Sequence, residues 1–269
     1  MAEQTTQEAI EQRIKENLTQ IHNRLMVFSG KGGVGKTTVA VNLALALAQK
    51  NLRVGILDVD IHGPNVPRMV GVEQPIISTT AQNKIKPVVT DTGLKVISMA
   101  FFLPDDGAPV VWRGPLKMRA ITQFLADVDW GELDWLVIDA PPGTGDEPLS
   151  VAQMIPGAKA LIVTTPQAVS AMDARRAIEF ARLVGLQVVG VVENMSTFIC
   201  PHCGKETELF PSGSAERMAQ EMGVPILARI PFEPAVAIAG DDGRAVVISA
   251  PDGAVARAFH NLAARLIEQ

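Results

Sequence analysis

The sequence predicts an α/β fold in which a mostly parallel sheet is covered by helices on both faces. Apolar segments of strand length alternate with segments of helix length along nearly the whole chain. The strand segments are uninterrupted apolar runs, which is typical of strands buried on both faces of a parallel sheet. A chain of 269 residues that is 47% hydrophobic and 20% charged is large enough to bury such a core as one domain.

The alternation sets the order of the elements. We predict strands at residues 25–29, 53–58, 94–100, 134–139, 159–164, 187–193 and 226–230. We predict helices at residues 36–49, 115–127, 147–154, 169–184, 213–222 and 253–267. Ligands of such a sheet bind at the carboxyl ends of the strands.

Each end of the chain is predicted to form a helix with one apolar face. Residues 1–24 are expected to form a leading helix, which leaves residues 25–269 as a single domain. The apolar residues of this helix that recur at helical spacing are Ile10, Ile14, Leu18 and Ile21. We expect the leading helix to pack on the domain, the alternative being a partner-binding arm. The last helix is expected to pack in the core, because a membrane-surface helix would be richer in Lys and Arg.

The segment Gly30–Thr38 reads G-K-G-G-V-G-K-T-T and fits the phosphate-binding pattern G-x-x-x-x-G-K-S/T. A predicted strand precedes it and a predicted helix follows it, so the helix N-terminus would lie under the phosphates. The expected nucleotide-binding residues are Gly30, Lys31, Gly32, Gly33, Val34, Gly35, Lys36, Thr37 and Thr38. Lys36 would reach the β- and γ-phosphates, and the Thr37 hydroxyl would bind Mg²⁺. The alternative is a glycine-rich turn that binds nothing.

Aspartates end two of the predicted strands. Asp58 and Asp60 follow the strand at 53–58, and Asp139 ends the strand at 134–139. A carboxylate at the end of an apolar strand is where P-loop NTPases hold Mg²⁺. We therefore predict magnesium contacts for Thr37, Asp58 and Asp139, with Asp58 alternatively only positioning its loop. A strand-end Asp is otherwise a cap or turn residue.

Composition excludes several classes of protein. The net charge of −5 argues against wholesale nucleic-acid binding. No apolar run approaches the length of a membrane span, and the polar, acidic N-terminus does not resemble a signal peptide. We therefore expect a cytoplasmic protein without membrane or nucleic-acid partners. The two cysteines of the chain are too few for a disulfide framework, and their closeness indicates metal or redox chemistry.

Both cysteines lie in Cys200-Pro201-His202-Cys203. A C-x-x-C turn presents two thiolates to one metal centre, so a single chain offers half of a four-thiolate site. Two chains related by a two-fold axis would offer enough thiolates for a bridging 4Fe-4S cluster or a zinc ion. A zinc half-knuckle, a redox dithiol and chance remain alternatives. We expect His202 to be an exposed loop residue rather than a ligand.

The segment K-G-G-V-G-K-T at 31–37 resembles the deviant Walker A motif of the family that includes the MinD and ParA ATPases. The resemblance implies that Lys31 reaches across a homodimer interface to the partner's ATP, where its charge stabilises the transferring phosphoryl group. It also implies that Asp60 orients the attacking water. Lys31, Lys36 and Asp60 are therefore the expected catalytic residues. The alternative for Lys31 is a solvated loop lysine.

Six further segments are similar to the Mrp/ApbC-type iron–sulfur cluster carriers within that family. They are L-D-V-D-I-H-G-P-N at 57–65, V-W-R-G-P-L at 111–116, I-D-A-P-P-G-T-G-D at 138–146, V-T-T-P-Q at 163–167, E-N-M-S-T-F-I-C-P-H-C-G-K at 193–205 and F-P-S-G-S-A-E-R-M-A at 210–219. The resemblance implies an ATP- and Mg²⁺-binding homodimer that holds a 4Fe-4S cluster through Cys200 and Cys203. Such a carrier takes the cluster from a donor scaffold, hydrolyses ATP slowly and delivers the cluster to apo-proteins. In relatives the positions of Asn194 and Pro231 approach the adenine.

Two other functions remain open at this point. One is a positioning ATPase of the MinD or ParA kind, which the acidic net charge and the cysteine pair oppose. The other is a dimer stapled by zinc that carries no cluster. This sequence also departs from the carriers at Pro211, Glu233 and Ala245, which bears on the adenine contacts and not on the phosphates or thiolates.

Overall fold

The structure is a computed structural model and describes residues 2–60, 63–72, 75–102 and 114–269. The segments quoted above at residues 61–62 and 111–113 lie outside the described residues. The strands are β1 (Ile21–Phe28), β2 (Val54–Asp58), β3 (Val88–Val89), β4 (Lys95–Ser98), β5 (Leu133–Asp139), β6 (Lys159–Thr164), β7 (Gln187–Ile199), β8 (Glu206–Thr207) and β9 (Ile226–Phe232). They form one sheet in the order β3-β4-β2-β5-β1-β6-β7-β8, with β9 also paired to β7.

The central strands run parallel to one another, and the antiparallel pairs involve only the two-residue strands β3 and β8 within the described part of the chain. The α-helices are α1 (Ala2–Thr19), α2 (Lys36–Ala48), α3 (Val66–Met69), α4 (Gly114–Asp127), α5 (Asp146–Met154), α6 (Ala168–Leu183), α7 (Ser214–Glu221), α8 (Pro234–Asp241), α9 (Val246–Ser249) and α10 (Ala254–Ile267). A short 3₁₀ helix spans Met99–Phe102.

Apolar side chains fill both faces of the sheet. One core contains the buried residues of α2 and α10, and the other contains those of α1, α4, α5, α6 and α7. The predicted fold class, a mostly parallel sheet with helices on both faces, is therefore confirmed. No described helix is long and apolar enough to cross a membrane.

The leading helix is shorter than the predicted range 1–24. It ends at Thr19, and β1 begins at Ile21, where Ile21 pairs with Leu133 of β5. The predicted domain boundary at residue 25 therefore lies inside β1. Ile21, whose spacing fits the apolar face of the helix, is instead paired in the sheet. As expected, α1 packs on the domain: Asn17 Nδ2 donates hydrogen bonds to three backbone carbonyls, at Leu125, Ala126 and Val128.

The predicted helices and most predicted strands lie within about two residues of their predicted bounds. Two strands are exceptions: the strand predicted at 25–29 begins earlier, at Ile21, and the strand predicted at 187–193 continues to Ile199. This extension brings β7 directly to the first cysteine of the C-x-x-C segment. The short elements β3, β8, α3, α8 and α9 were not predicted, and α3 and α8 turn out to flank the candidate site.

Candidate nucleotide site and cysteine hairpin

The phosphate-binding loop connects the end of β1 to the start of α2 and depends on glycine at two positions. Gly33 and Gly35 have φ values of 79° and 81°, in the left-handed region that side chains other than glycine rarely adopt. A Cβ atom at Gly35 would also lie 2.2 Å from Nδ2 of Asn194. Gly35 is thus required both by its conformation and by the close approach of β7.

Lys36 extends from the first turn of α2 into a buried cluster of carboxylates. Its Nζ atom lies 2.6 Å from Oδ1 of Asp139 and 3.6 Å from Oδ2 of Asp60. Thr37 Oγ1 donates a 2.7 Å hydrogen bond to the other oxygen of Asp139. Lys36 is only 6% exposed and Asp139 is fully buried. The structure therefore brings together the residues that the sequence assigned to phosphate and magnesium.

Asp58 lies beside this cluster, because β2 and β5 are parallel neighbours that pair Asp58 with Asp139. Its carboxylate accepts hydrogen bonds from Ser98 Oγ at 2.8 Å, from the Asp60 backbone N–H at 3.1 Å and from the Val66 backbone N–H at 3.4 Å. These contacts hold the backbone of Asp60, just after β2, and of Val66, at the start of α3. They favour the positioning role for Asp58, and its magnesium contact stays a prediction.

Burial sets the electrostatics of this pair. The pKa of Asp58 is raised well above its ordinary value, first by desolvation and then by repulsion from Asp139, although the Ser98 hydrogen bond opposes the shift. Desolvation also raises the pKa of Asp139, and Lys36 and Thr37 offset part of that increase. Charged carboxylates this deep disfavour the folded state unless cations neutralise them. A site with this composition suits a divalent cation together with an anionic ligand.

We expect the free energy of unfolding of the nucleotide-free protein to fall as the pH rises above 3.8, the ordinary value for an aspartate. A group with a raised pKa binds more protons in the folded than in the unfolded state above the ordinary carboxyl value of 3.8, so folding is favoured at the lower pH. Urea unfolding at several pH values measures the slope. Asp58→Asn should flatten it, and the exposed Asp91→Asn is the control that should not.

Acidic groups with lowered pKa values make the free energy of unfolding increase as the pH rises, but they do so at lower pH. Arg53 holds the pKa of Asp134 at about 2, so the stability from that pair is lost only as the pH falls below about 4. The two effects therefore separate in pH. An Asp58→Asn protein whose slope equals that of the unmodified protein between pH 5 and 8 would contradict the assignment to the buried pair.

Two cavities meet over the start of α2. The phosphate cavity, of about 360 Å³, is lined by the phosphate-binding loop, Lys36, Asp60 and Pro142. The nucleotide cavity, of about 390 Å³, lies between α3, α8 and the ends of β7 and β9. Both cavities are lined by Thr37, Thr38 and Asn65, so together they form one continuous groove, the nucleotide groove. The volumes are those of sites that bury a small ligand.

The second cavity contains both residues that the resemblance placed near adenine, Asn194 and Pro231. Asn194 Nδ2 donates a 2.9 Å hydrogen bond to the Val34 carbonyl, which ties β7 to the phosphate-binding loop. The adenine contacts themselves stay predictions. Lys31 is partly exposed at the loop and forms no hydrogen bond or ion pair with any described residue, so its role in a partner's site also stays a prediction.

Sequence reasoning missed several residues of this cavity. Asn65, Arg68 and Met69 come from α3 and the turn before it, and Val236 and Asp241 come from α8. Arg68 and Asp241 face each other across the opening, with Nη2 and Oδ1 3.7 Å apart. The one usable signal was Pro234, because proline is favoured at the first position of a helix.

The cysteines lie on a hairpin that projects beyond the parallel sheet. β7 runs to Ile199 and returns as β8, and Phe198 and Ile199 pair with Thr207 and Glu206. The turn is closed by two backbone hydrogen bonds, from the Cys200 N–H to Lys205 and from the Gly204 N–H to Cys200. Cys200 is partly buried and Cys203 is exposed.

The turn is arranged to stabilise a thiolate. The pKa of the Cys200 thiol is lowered, because the backbone N–H of His202, the backbone N–H of Cys203 and the Cys203 side chain hydrogen-bond to its sulfur. Thiolate is the form of cysteine that binds metals. No group of three or more His, Cys, Asp or Glu side chains suited to a metal ion occurs among the described residues. Among the described residues, the cysteine pair of one chain therefore offers two thiolates and no further clustered ligand.

Comparison with known proteins agrees with this geometry. A family model described as "ParA: NUBPL iron-transfer P-loop NTPase" matches residues 20–267. An iron-sulfur cluster carrier protein from Saccharolobus solfataricus is 47% identical over 263 residues, which cover 97% of this chain and 88% of the relative. A cytosolic Fe-S cluster assembly factor from Eremothecium gossypii is 48% identical over 228 residues, covering 82% of this chain and 81% of the relative.

Solved structures give the same result for the fold. A nucleotide-binding protein from Archaeoglobus fulgidus, in complex with ADP, is 40% identical with a TM-score of 0.78, and the match covers 87% of this chain and 91% of that one. The cell division ATPase MinD from Pyrococcus furiosus is 26% identical with a TM-score of 0.70, covering 92% and 99%. The resemblance found in the motifs is therefore confirmed, and the chain belongs to the ParA-type family of NUBPL iron-transfer P-loop NTPases.

Proposed function

We propose that this protein is an iron–sulfur cluster carrier that binds and hydrolyses ATP, holds a 4Fe-4S cluster between two copies of the chain and transfers it to apo-proteins. One observation carries the proposal. Both cysteines of the chain lie on a single exposed turn with thiolate-stabilising hydrogen bonds, at the end of a strand that contacts the phosphate-binding loop. The relatives named as iron-sulfur cluster carriers support it.

The donor set suits a cluster shared between subunits. Two thiolates on one turn supply half of the four ligands that such a cluster takes from cysteine. A second copy related by two-fold symmetry supplies the other half through the same residues, Cys200 and Cys203. Because the turn is exposed, separation of the two copies would release the cluster to a recipient. The cluster is thus cargo, taken from a donor scaffold and passed on.

The nucleotide groove suits ATP with Mg²⁺. Lys36 would bind phosphate oxygens in place of its carboxylate partners. The Asp139 carboxylate and the Thr37 hydroxyl would hold Mg²⁺, and the charge of the metal would neutralise the phosphates. Asp60 lies at the edge of the phosphate cavity, where it would orient the attacking water. Lys31, partly exposed and without an intramolecular partner in the described chain, would act on the nucleotide of the second copy. Hydrolysis would then require the dimer.

A relative named as a cytosolic assembly factor supports placing this carrier in the cytoplasm. The net charge of −5 supports a protein partner rather than a nucleic acid. The recipients are apo-proteins whose own cysteines would accept the cluster from an exposed turn.

The test is the iron and sulfide content per dimer after anaerobic reconstitution, with and without ATP. We expect about four iron and four sulfide per dimer, with a broad visible absorbance. The dimer mass should persist only while the cluster or ATP is bound. Zinc in place of iron and sulfide after purification without oxygen would contradict the proposal and indicate a zinc-stapled dimer. Transfer to an apo-protein, followed by recovery of its activity, completes the test.

A further inference from the structure

Strand β7 connects the two functional parts of the molecule. Asn194 is tied to the phosphate-binding loop by its hydrogen bond to Val34, and Cys200 follows directly after the last residue of the same strand, Ile199. Between them lies Met195, whose φ is +55°. The strand is therefore bent at one residue between its contact with the nucleotide groove and its cysteine.

The conformation of Met195 is unusual for its residue type. The other non-glycine residues with positive φ in the described chain are Asn51 and Asn83, and asparagine tolerates this region. Methionine has no short polar side chain to offset the steric conflict, so its surroundings must impose the conformation. The pairing of β7 with β9 shifts register between Asn194 and Phe198, which is where the bend lies.

Met195 also faces the nucleotide groove. It lines the cavity of about 390 Å³ together with Pro231 and Phe232 of β9. Its Cε atom lies 3.8 Å from the position that a Cβ of Gly35 would take, close to the phosphate-binding loop. A ligand that fills this cavity would contact the side chain of the residue whose backbone is strained.

The other wall of the cavity leads to the same hairpin. Phe232 pairs with Phe198, only two residues before Cys200, and their ring centroids are 6.2 Å apart. Below the bend, Arg229 lies 3.9 Å from Glu193 and 3.2 Å from Glu216 of α7, which anchors β7 to its neighbours. The bend thus lies between an anchored strand and a hairpin whose base, at Phe198, packs against Phe232 of the cavity wall.

We infer that Met195 is a positioning residue that couples occupancy of the nucleotide cavity to the placement of Cys200 and Cys203. The inference rests on the proposed binding of nucleotide. A ligand that contacts Met195 changes the balance between left-handed and extended backbone at this residue, and each conformation places the hairpin differently. A ligand shifts such a balance only through its differential affinity for the two conformations. By linkage, the state of the cysteines also changes the affinity for nucleotide.

Two substitutions at Met195 should displace the balance in opposite directions. Met195→Gly admits positive φ without steric cost and favours the bent conformation. Met195→Val introduces a β-branched side chain, for which positive φ is strongly disfavoured, and favours the extended one. Asn51→Gly makes the same backbone change in the turn after α2 and is the control for position.

The experiment measures the rate at which N-ethylmaleimide modifies the cluster-free protein, with and without ADP and Mg²⁺. The chain contains only two cysteines, so the rate reports Cys200 and Cys203 alone. We expect bound ADP to change the rate about fivefold or more in the unmodified protein and in the Asn51→Gly control. The Gly and Val variants should shift the ADP-free rate in opposite directions, and one of them should reproduce the ADP-bound rate without ADP.

Calorimetry of ADP binding shows whether a negative result contradicts the coupling alone or the proposed function as well. Binding of ADP with an unchanged modification rate in the unmodified protein would overturn the coupling and leave the proposed function intact. Shifts of the Gly and Val variants in the same direction would also overturn it, because they would show a loss of packing rather than a change of backbone preference. If ADP does not bind at all, the proposed function and the coupling both fail.

Discussion

Replacing Lys36 by alanine should lower the affinity for ATP by about two orders of magnitude or more. Hydrogen bonds from a charged donor contribute about 1.5–3 kcal/mol each, and every 1.4 kcal/mol is a factor of ten in affinity. Removal of the ammonium group also removes the cation that lies between the phosphates and the carboxylates of Asp60 and Asp139. Binding measured by calorimetry or by a fluorescent nucleotide analogue tests the prediction.

The same substitution should destabilise the nucleotide-free protein. Lys36 is the cation that lies 2.6 Å from Asp139 in a fully buried position. Breaking a buried ion pair by removal of one partner costs on the order of 3–5 kcal/mol. The loss should be smaller at about pH 5 than at pH 8, because the raised pKa values let the carboxyl groups become neutral. Urea unfolding at the two pH values measures the difference.

Lys31→Ala is the matched control within the same loop. Lys31 is partly exposed and forms no ion pair with the described residues, so its removal should change stability by less than about 0.5 kcal/mol. ATP should still bind to the isolated chain, whereas hydrolysis by the dimer should fall. Normal ATP binding by Lys36→Ala would show that the phosphates are held elsewhere and would contradict the assignment of the groove.

Much of the nucleotide site follows from local sequence. The glycines, Lys36 and Thr37 occupy fixed places in one loop, and a strand and a helix on either side set its direction. Asp58 and Asp139 end strands that a parallel sheet must align at one edge, and the structure pairs them. These residues were predictable because neighbours in the chain, or a rule of sheet topology, determine where they lie.

The remaining features depend on contacts between distant segments. β1 begins at Ile21 because it pairs with β5, and no periodicity within residues 1–24 shows that pairing. The contact of Asn194 with Val34 joins residues 160 positions apart. Met195 looks like an ordinary apolar residue in the sequence, and the bend of β7 there shows only in its positive φ and in the register shift against β9. Tertiary packing overrides local preference at such positions.

Cys203→Ser should abolish stable binding of the cluster. A hydroxyl is a far weaker ligand for iron than a thiolate, and the substitution appears in both copies of a symmetric dimer. The reconstituted protein would therefore lose two of its four thiolates at once. We expect iron and sulfide to fall to background and the visible absorbance to disappear, as judged by anaerobic metal and sulfide analysis. A full cluster in this variant would contradict the shared site.

Two further variants show whether the effect is specific to the thiolates. His202→Ala should keep the full cluster content, because only the backbone N–H of His202 contributes to the hydrogen bonds that lower the pKa of Cys200, and alanine retains it. Cys200→Ser should lose the cluster as completely as Cys203→Ser. Both cysteine variants should still bind ATP, because the turn lies beyond the end of β7 and outside the phosphate cavity. Loss of the cluster with retained ATP binding would show that the two thiolates bind the cluster and are not required for folding.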